Sequence, residues 1–397
     1  MKAGAARLTG ARLCPYRFAP DGLERAVGPP LRPLRSRRRR HAAHADRLCR
    51  RLLPPAHRPH GRGCRAAPGR RGAHHVSARA GAHRRGELPA VLRRAGDAPP
   101  LARVRRPAVS DPAGPLPRIK EPHLAGRWYP AAADVLAASV REMLAGGAHR
   151  PHTDAILVPH ADYEYSGRTA ARGFAAAGTG WRRALVLAPS HFAAFHGAAV
   201  LPMTAYRTPL GLVSIDQEAL AALTRCPLIR ANPAVFVREH ALEIQLPWLQ
   251  AMEPGAALVP VLVGRLDAGD GETLAGALRP WIAPGTLVVV SSDLVHYGRR
   301  FDYLPVPPAD RATVAAAVTR LDEGALERVT ACDAEGFGRY VESTGATICG
   351  RYPIEVLLRA LPAGSRGEVL AHTTSLDASD EHDHVVGYAA VAFTAYR

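Results

Sequence analysis

The hydrophobic pattern of the chain from about residue 119 onwards predicts an α/β fold. Four short apolar runs have the length and composition of buried strands; they lie at 155–158, 184–187, 258–263 and 287–290. Apolar residues recur at helical spacing over 134–145, 168–177, 216–224, 239–252, 268–282, 309–320 and 353–361. A turn between two strands is expected at 208–211, and a strand pair at 366–376 and 385–395. This alternation predicts one three-layer α/β/α domain with a central, largely parallel mixed sheet.

Residues 1–117 do not share this pattern. They contain no Ile or Trp and are crowded with Arg, Pro, Gly, Ala and His, so they lack the apolar surface that offsets the entropy of ordering a chain. We therefore expect a disordered basic tail over 1–117 and a folded domain over 118–397. Residues 1–118 hold 28 basic and 6 acidic residues, a net of +22, which leaves −5 for 119–397 out of the total of +17. The folded part is thus mildly acidic, which argues against nucleic acid as its partner.

Three origins of the tail fit its composition. It could be a disordered arm that binds nucleic acid, or an Arg-rich targeting peptide. The third origin, which we favour, is a mis-assigned start or the translation of GC-rich DNA in an unintended frame. Almost every cation in the tail is Arg, and no Met occurs between Met1 and Met143.

Cysteine usage and hydropathy predict a cytoplasmic protein. The six cysteines form no C-x-x-C pair, so neither a zinc ribbon nor a disulfide framework is indicated. No run of about 18 apolar residues is present, and the first residues lack the apolar stretch of a secretory signal. We expect no association with a membrane.

Residues suited to metal binding and proton transfer follow three of the predicted strands. His160 follows the first strand, His191 follows the second, and Asp293 and His296 follow the strand at 287–290. Ligands of open α/β sheets bind beyond the carboxyl ends of the strands, so these side chains are expected to line one crevice. A single His after a strand is usually a hydrogen-bonded loop residue, but three at equivalent positions favour a site for a divalent ion.

Two other segments carry weaker indications. Cys349 is followed by Gly350, which allows a close backbone approach, and by Arg351, which could hold a thiolate; a buried, inert thiol is the alternative. Glu239 and Glu243 share a helix face at i,i+4. They fit either the first turn of a helix, where acids favour the macrodipole, or a role in the site.

Six motifs in this order resemble those of the Memo family, whose bacterial and archaeal members are called AmmeMemoRadiSam system protein B. They are Pro159-His160-Ala161 with Tyr165-Ser166-Gly167, Pro189-Ser190-His191, Thr208-Pro209-Leu210-Gly211, Glu239-His240 with Glu243, Ser291-Ser292-Asp293 with His296-Tyr297-Gly298, and Ile348-Cys349-Gly350-Arg351. Residues 122–130 also resemble the N-terminal signature of that family. The resemblance covers about 119–397 and leaves the tail without a counterpart.

The resemblance implies a fold similar to that of the class III extradiol ring-cleavage dioxygenases, which are non-haem iron enzymes. It implies that His160 and His191 are imidazole ligands of a metal, and that Cys349 is the third ligand, where the dioxygenases have a carboxylate. His296 resembles their acid/base histidine, and Asp293 lines the same pocket. Iron is the first choice of cofactor, with copper or zinc as alternatives.

The resemblance leaves two classes of function open. The first is a metal-dependent redox enzyme in which His296, oriented by Asp293, moves a proton while a small molecule or peptide occupies the cleft. The second is a non-catalytic metal-binding or peptide-binding adaptor that works with radical-SAM and AMMECR-family partners. A thiolate ligand is softer than a carboxylate and is open to oxidation, so the analogy of fold does not establish dioxygenase activity.

Two positions depart from the pattern of the family. Asp162 stands where Gly is usual, as either a fourth oxygen ligand or a loop cap, and Phe192 stands where a second His is common. Aromatic walls for the pocket are expected from Trp128, Tyr163, Tyr165 or Tyr297.

Overall fold

The computed structural model describes residues 118–394. The strands in this range are β1 (Ile119–Lys120), β2 (Thr153–Val158), β3 (Arg183–Pro189), β4 (Ala198–Val200), β5 (Ala205–Thr208), β6 (Gly211–Ser214), β7 (Ile229–Ala231), β8 (Ala257–Val263), β9 (Thr286–Ser291), β10 (His296–Gly298), β11 (Arg366–Thr374) and β12 (His384–Thr394). The helices are α1 (Ala133–Leu144), α2 (Gly167–Ala177), α3 (Gln217–Leu223), α4 (His240–Glu243), α5 (Leu246–Met252), α6 (Asp270–Leu278), α7 (Arg311–Thr330), α8 (Ala334–Thr344) and α9 (Arg351–Ala360). The tail predicted over 1–117 lies outside the described residues.

The main sheet has nine strands and is mixed. Its order is β10-β12-β2-β9-β3-β8-β4-β7, with β11 paired to β12 beside that path. The four central strands β2, β9, β3 and β8 run parallel, whereas β12 is antiparallel to β2 and β4 is antiparallel to β8. Strands β1, β5 and β6 form a separate small sheet, with the predicted turn at 208–211 between β5 and β6. The prediction of a largely parallel mixed sheet is therefore confirmed.

Helices cover both faces of this sheet. Every residue of β9 is buried, and so are the last four of β2, which requires a layer on each side of these strands. Helix α2 packs on β2 and β12, with α1 against it, while α9 packs on β3 and β9, with α6 and α8 against it. Helix α7 lies along β11 and β12. The predicted α/β/α architecture is confirmed.

Three helical segments differ from the prediction. The helix expected over 239–252 is two short helices, α4 and α5, because Pro247 has no N–H to continue the first and instead lies in the first turn of the second. Helix α7 continues to Thr330, ten residues beyond the expected end at 320, and α8 was not predicted. Glycines at 324, 336 and 338 weaken the helical pattern there, and tertiary packing overrides that local preference.

Candidate metal centre

The three central strands that carry the candidate ligands end at the same edge of the sheet. Strand β9 lies between β2 and β3, and Val290 of β9 is in register with both Leu157 and Leu187. His160 and His191 each lie two residues beyond the end of their strand. Level strand ends therefore bring the two imidazoles together, with ring centroids 5.1 Å apart.

Cys349 joins the two histidines from the loop between α8 and α9. Its Sγ lies 3.1 Å from Nε2 of His160, and the donor atoms of Cys349, His160 and His191 all lie within 4.8 Å of one another. The approach of this loop depends on Gly350, because a Cβ at that position would collide with Ser292. The backbone N–H of Gly350 instead donates to Ser292 Oγ at 2.9 Å. Glycine after the cysteine serves the close approach expected from the sequence.

Arg351, next to Cys349 in sequence, forms two ion pairs with carboxylates. Its guanidinium is bound to Glu342 at 2.7 Å and to Glu355 at 2.8 Å. These two carboxylates engage the charge of Arg351, and the expectation that this residue holds the thiolate stays a prediction.

A chain of buried hydrogen bonds determines which ring nitrogen of His160 carries the lone pair that can bind a metal. Nδ1 of His160 lies 3.0 Å from Oγ of Ser291, and that hydroxyl gives its only proton to the carbonyl of Ala241 at 2.6 Å. Ser291 must therefore accept from Nδ1–H, which leaves the lone pair of His160 on Nε2, the atom that faces Cys349. Gln245 also donates to Ser291 Oγ, at 2.8 Å.

Ser291 and Gln245 had no assigned role in the sequence. The only indication available was a polar residue at the end of an apolar strand, and a second one within an apolar helical run. Both are fully buried, and such residues need polar partners.

Glu239 fixes the orientation of His191 in the same way. Its two carboxylate oxygens accept from the backbone N–H of His191 at 2.6 Å and from Nδ1 at 2.8 Å, so Nε2 carries the lone pair. Burial alone would raise the pKa of Glu239, but His191 and the other donors outweigh it and hold that pKa at about 2. The same carboxylate caps α4 by accepting from Ala241 N–H. Both explanations left open for Glu239, a helix terminus and a role in the site, thus apply.

Replacing Glu239 with glutamine is expected to weaken metal binding about 10–100-fold, because the amide NH₂ must face either Nδ1 or the backbone N–H of His191 and so loses one of the two contacts that orient the imidazole. Competition with a chelator measures the affinity. Asp310→Asn is the matched control, since Asp310 caps α7 through Thr313 N–H as Glu239 caps α4. Equal losses in the two variants would show that Glu239 acts only on the helix.

Planar side chains surround the two imidazoles. His240 stacks on His191 at 4.3 Å between ring centroids, and Trp128 packs against His240 at 4.7 Å. Phe192 meets the edge of His240 at 5.9 Å and is 37% exposed. Of the aromatic walls expected from the sequence, Trp128 contacts this group, whereas Tyr163 packs on Trp248 in the core.

His296 and Asp293 lie on the segment that follows β9. Nδ1 of His296 lies 2.9 Å from the carbonyls of both Leu294 and Thr347, which can only accept, so Nδ1 is protonated and Nε2 is the basic atom. Burial lowers the pKa of His296 to about 4. Asp293 Oδ1 accepts from the backbone N–H of His160 at 2.7 Å, and burial raises the pKa of Asp293 to about 7. Carbonyl groups thus orient His296, while Asp293 anchors the loop that carries His160.

Asp162 acts as a loop cap. Its Oδ1 accepts from the backbone N–H groups of Glu164 and Tyr165 at 3.1 and 3.3 Å. Among the described residues, Asp162 is in none of the groups whose donor atoms could share an ion. Of the two roles left open for this departure from the family pattern, the contacts support the cap.

Two other groups of donors are less suited to an ion. In one, Glu239 already holds the backbone N–H and Nδ1 of His191, with His240 Nδ1 3.6 Å away. The other is an exposed cluster of His196, Asp267 and Asp270, in which Asp270 accepts from Asp267 N–H and from His196 Nε2, both at 2.6 Å. In both groups carboxylates already accept hydrogen bonds from the histidines, which favours the group of His160, His191 and Cys349.

Among the helices within residues 118–394, none combines the length and the apolar composition that a membrane span requires.

Comparison with known proteins finds a matching family model and several similar proteins. A family model described as Memo-like protein matches residues 120–392. The chain is 32% identical to the MEMO1 family protein MK0963 of Methanopyrus kandleri over 297 residues, which cover 69% of this chain and 98% of the relative. It is 31% identical to Protein MEMO1 of Homo sapiens over 292 residues, covering 70% and 98%. Among solved structures, the uncharacterized protein JW3007 of Escherichia coli K12 matches 60% of this chain and 98% of its own, at 16% identity and a TM-score of 0.32.

Proposed function

The chain belongs to the Memo-like protein family, and from this premise we propose that it binds a redox metal through His160, His191 and Cys349 and uses it in an oxidoreductase reaction. The observation that carries the proposal is the convergence of the three donor atoms within 4.8 Å. In both histidines a buried acceptor holds Nδ1–H, so the lone pair lies on Nε2.

The donor set fits a transition metal. One ion with bonds of about 2.0–2.3 Å in tetrahedral geometry places its donors about 3.5 Å apart. Cys349 Sγ and His160 Nε2 are 3.1 Å apart, and all three donor atoms lie within 4.8 Å of one another, so small side-chain movements suffice to reach that geometry. Two neutral imidazoles and a thiolate suit iron, copper or zinc, and iron is our first choice for a redox role. A bound iron or copper ion would supply Lewis acidity and one-electron chemistry, whereas zinc would supply Lewis acidity alone. Calcium and magnesium, which prefer oxygen ligands, do not suit this set.

His296 is the proposed proton acceptor. Its lowered pKa, about 4 because of burial, keeps the imidazole neutral at pH 7 with a basic Nε2. Asp293 lies beside this ligand set, because it accepts from the backbone N–H of His160, and burial raises its pKa to about 7 in the metal-free protein. The two side chains that follow β9 therefore provide a base, His296, and a carboxyl group, Asp293, that positions the proposed ligand His160.

Substituting His296 with alanine is expected to lower a metal-dependent rate by about 10²–10⁴-fold, the range for loss of a general base, while the metal stays bound. Oxygen uptake by anaerobically purified, iron-loaded protein with catechol-like compounds measures the rate, and elemental analysis measures the metal. His384→Ala is the control, because His384 is a partly exposed histidine at the start of β12. Metal-loaded wild-type protein that is inert towards oxygen and these compounds would contradict the redox proposal.

A non-catalytic role is the second candidate. Exposed apolar side chains flank the site, with Phe192 next to His191 and Val237, 59% exposed, two residues before Glu239. Such residues favour a protein partner, and radical-SAM and AMMECR-family proteins are the partners that we propose. Under this alternative, His160→Ala abolishes co-purification of the partner instead of turnover. Failure to capture any partner from cells with the wild-type protein would count against it.

A further inference from the structure

A buried aspartate in the last ten residues of α7, beyond the end predicted from the sequence, has no role in the site described so far. Asp322 is fully buried within this helix, where aspartate has a poor helix propensity and a carboxylate loses its hydration. Its Oδ1 accepts from the backbone N–H of Val295 at 3.0 Å, and its Oδ2 lies 2.9 Å from Nε2 of His372 on β11. These two partners compensate for the lost hydration of the carboxylate. One of them, Val295, lies in the segment that joins Asp293 to His296.

Strand β12 leaves room for this carboxylate. A Cβ at Gly387 would collide with Asp322 Oδ2, so glycine lets the side chain approach the strand. The same glycine pairs with the segment after β9, because Leu294 N–H donates to Gly387 O at 2.8 Å and Gly387 N–H donates to Val295 O at 2.9 Å. The carbonyl of Val295 therefore accepts a hydrogen bond from β12, and its N–H donates one to Asp322 of α7.

The held residue lies between two side chains of the proposed site. Asp293 is two residues before Val295 and His296 is the next residue, so the backbone at Val295 sets the direction of both. Leu294, whose carbonyl faces His296 Nδ1 at 2.9 Å, is part of the same pinned segment. A shift of residues 293–296 would move two groups together: the Asp293 carboxylate, which accepts from His160 N–H, and the imidazole of His296.

We infer that Asp322 is a positioning residue, which acts through the Val295 N–H to orient Asp293 and His296. The functional importance of this orientation rests on the proposed function. The contacts of Asp322 do not depend on it. A simpler role would be a structural pair with His372 that stabilises the packing of α7 on β11.

Two variants separate these roles, because each removes a different contact of Asp322. Asp322→Ala removes the acceptor of Val295 N–H. His372→Asn removes the other partner and leaves the Val295 contact in place. Asp322→Asn keeps an amide oxygen that can still accept from Val295 N–H, so it is the conservative rescue.

The experiment compares these full-length variants by two readouts. The first is the ¹⁵N signals of His296 in histidine-labelled, metal-free protein, assigned by their loss in His296→Gln. The second is metal-dependent oxygen uptake with a catechol-like probe. We expect Asp322→Ala to shift the His296 signals and to lower the rate about 10–100-fold. We expect His372→Asn and Asp322→Asn to leave the signals in place and the rate within about threefold of wild type.

The inference is overturned if His296 gives wild-type signals in folded Asp322→Ala, or if His372→Asn shifts them equally. Should Asp322→Ala fail to fold, Asp322→Leu removes the same acceptor without leaving a cavity and is expected to shift the His296 signals too. Absence of oxygen uptake in the wild-type protein refutes the proposed reaction but leaves the histidine signals to decide the role of Asp322.

Discussion

Replacing Cys349 with serine is expected to weaken metal binding by more than about 100-fold. That figure is the upper end of the range for losing a residue that only orients a ligand, and Cys349 is itself a proposed donor. A serine hydroxyl stays protonated at neutral pH and is a harder donor than a thiolate, so it cannot replace the charge or the softness of sulfur. The neighbouring His160 and His191 remain in place and bind the ion only weakly.

Anaerobic metal analysis and chelator competition measure this loss. Cys226→Ser is the matched control, because it removes the thiol of a half-buried cysteine that is in none of the described donor groups. Metal at 100 times its dissociation constant stabilises a folded protein by about 2.7 kcal/mol, so the wild-type protein and Cys226→Ser should melt at a higher temperature with metal, and Cys349→Ser should not. Wild-type affinity in Cys349→Ser would remove the thiolate from the proposed site.

The central strands could be predicted because both of their faces are buried. Strands β2, β3, β8 and β9 lie within a parallel sheet, so their sequences are continuous apolar runs with an unambiguous pattern. Strands β4, β7 and β10 are three residues long, too short for any periodicity to appear. Their positions are decided by pairing with neighbouring strands, which is information that local sequence does not hold.

The helices also divide into features that local sequence explains and features that tertiary packing decides. The break between α4 and α5 had a local cause in Pro247, whereas the last ten residues of α7 are stabilised by packing on β11 and β12. Asp322 lies in that last part, where a polar residue suggests a solvent-exposed face. Its burial follows from Val295, Gly387 and His372, which belong to three other segments of the chain.

The position of the site was predictable, but its hydrogen-bond network was not. His160 and His191 could be placed together because both follow strands that end at one edge of the sheet. The tautomer of His160 depends on Ser291, 131 residues away, which in turn is held by Gln245. Arg351 forms ion pairs with Glu342, nine residues before it, and with Glu355, four residues after it, and only the second pair has the i,i+4 spacing of a helix. Neighbours in sequence are thus a poor guide to contacts that the fold brings from elsewhere.

Glu243 has the most extensive set of donors around a buried carboxylate near the site. Its oxygens accept from the backbone N–H groups of His123 and Leu124 at 2.9 and 2.8 Å. They also accept from the hydroxyls of Tyr129 at 2.9 Å and Tyr206 at 3.1 Å. The loop 123–129 that it anchors carries Trp128, which packs against His240. Glu243 therefore links the small sheet and this loop to α4 and the candidate metal centre.

Glu243→Ala is expected to lower the free energy of unfolding by about 3–5 kcal/mol, because it leaves several buried donors without an acceptor. For a domain of this size the midpoint of thermal unfolding should fall by roughly 10 °C. Glu142→Ala, which removes an exposed carboxylate on α1, is the control and should change stability by less than about 0.5 kcal/mol. Calorimetry of both variants, with and without metal, measures the effect, and equal midpoints in the two variants would contradict it.

The pH dependence of stability gives the same carboxylate a second test. Burial alone would raise the pKa of Glu243, but His123, whose Nδ1 lies 2.6 Å away, and the other donors outweigh it and hold that pKa below its usual value. A carboxyl group with a lowered folded pKa binds fewer protons in the folded than in the unfolded state. Its stabilisation is therefore complete above the unfolded pKa of about 4.3 and is lost as the pH falls through the folded pKa. The stability difference between wild type and Glu243→Ala should shrink as the pH is lowered from about 6 towards 3, and a difference that stays constant over this range would show that Glu243 contributes by packing and not by charge.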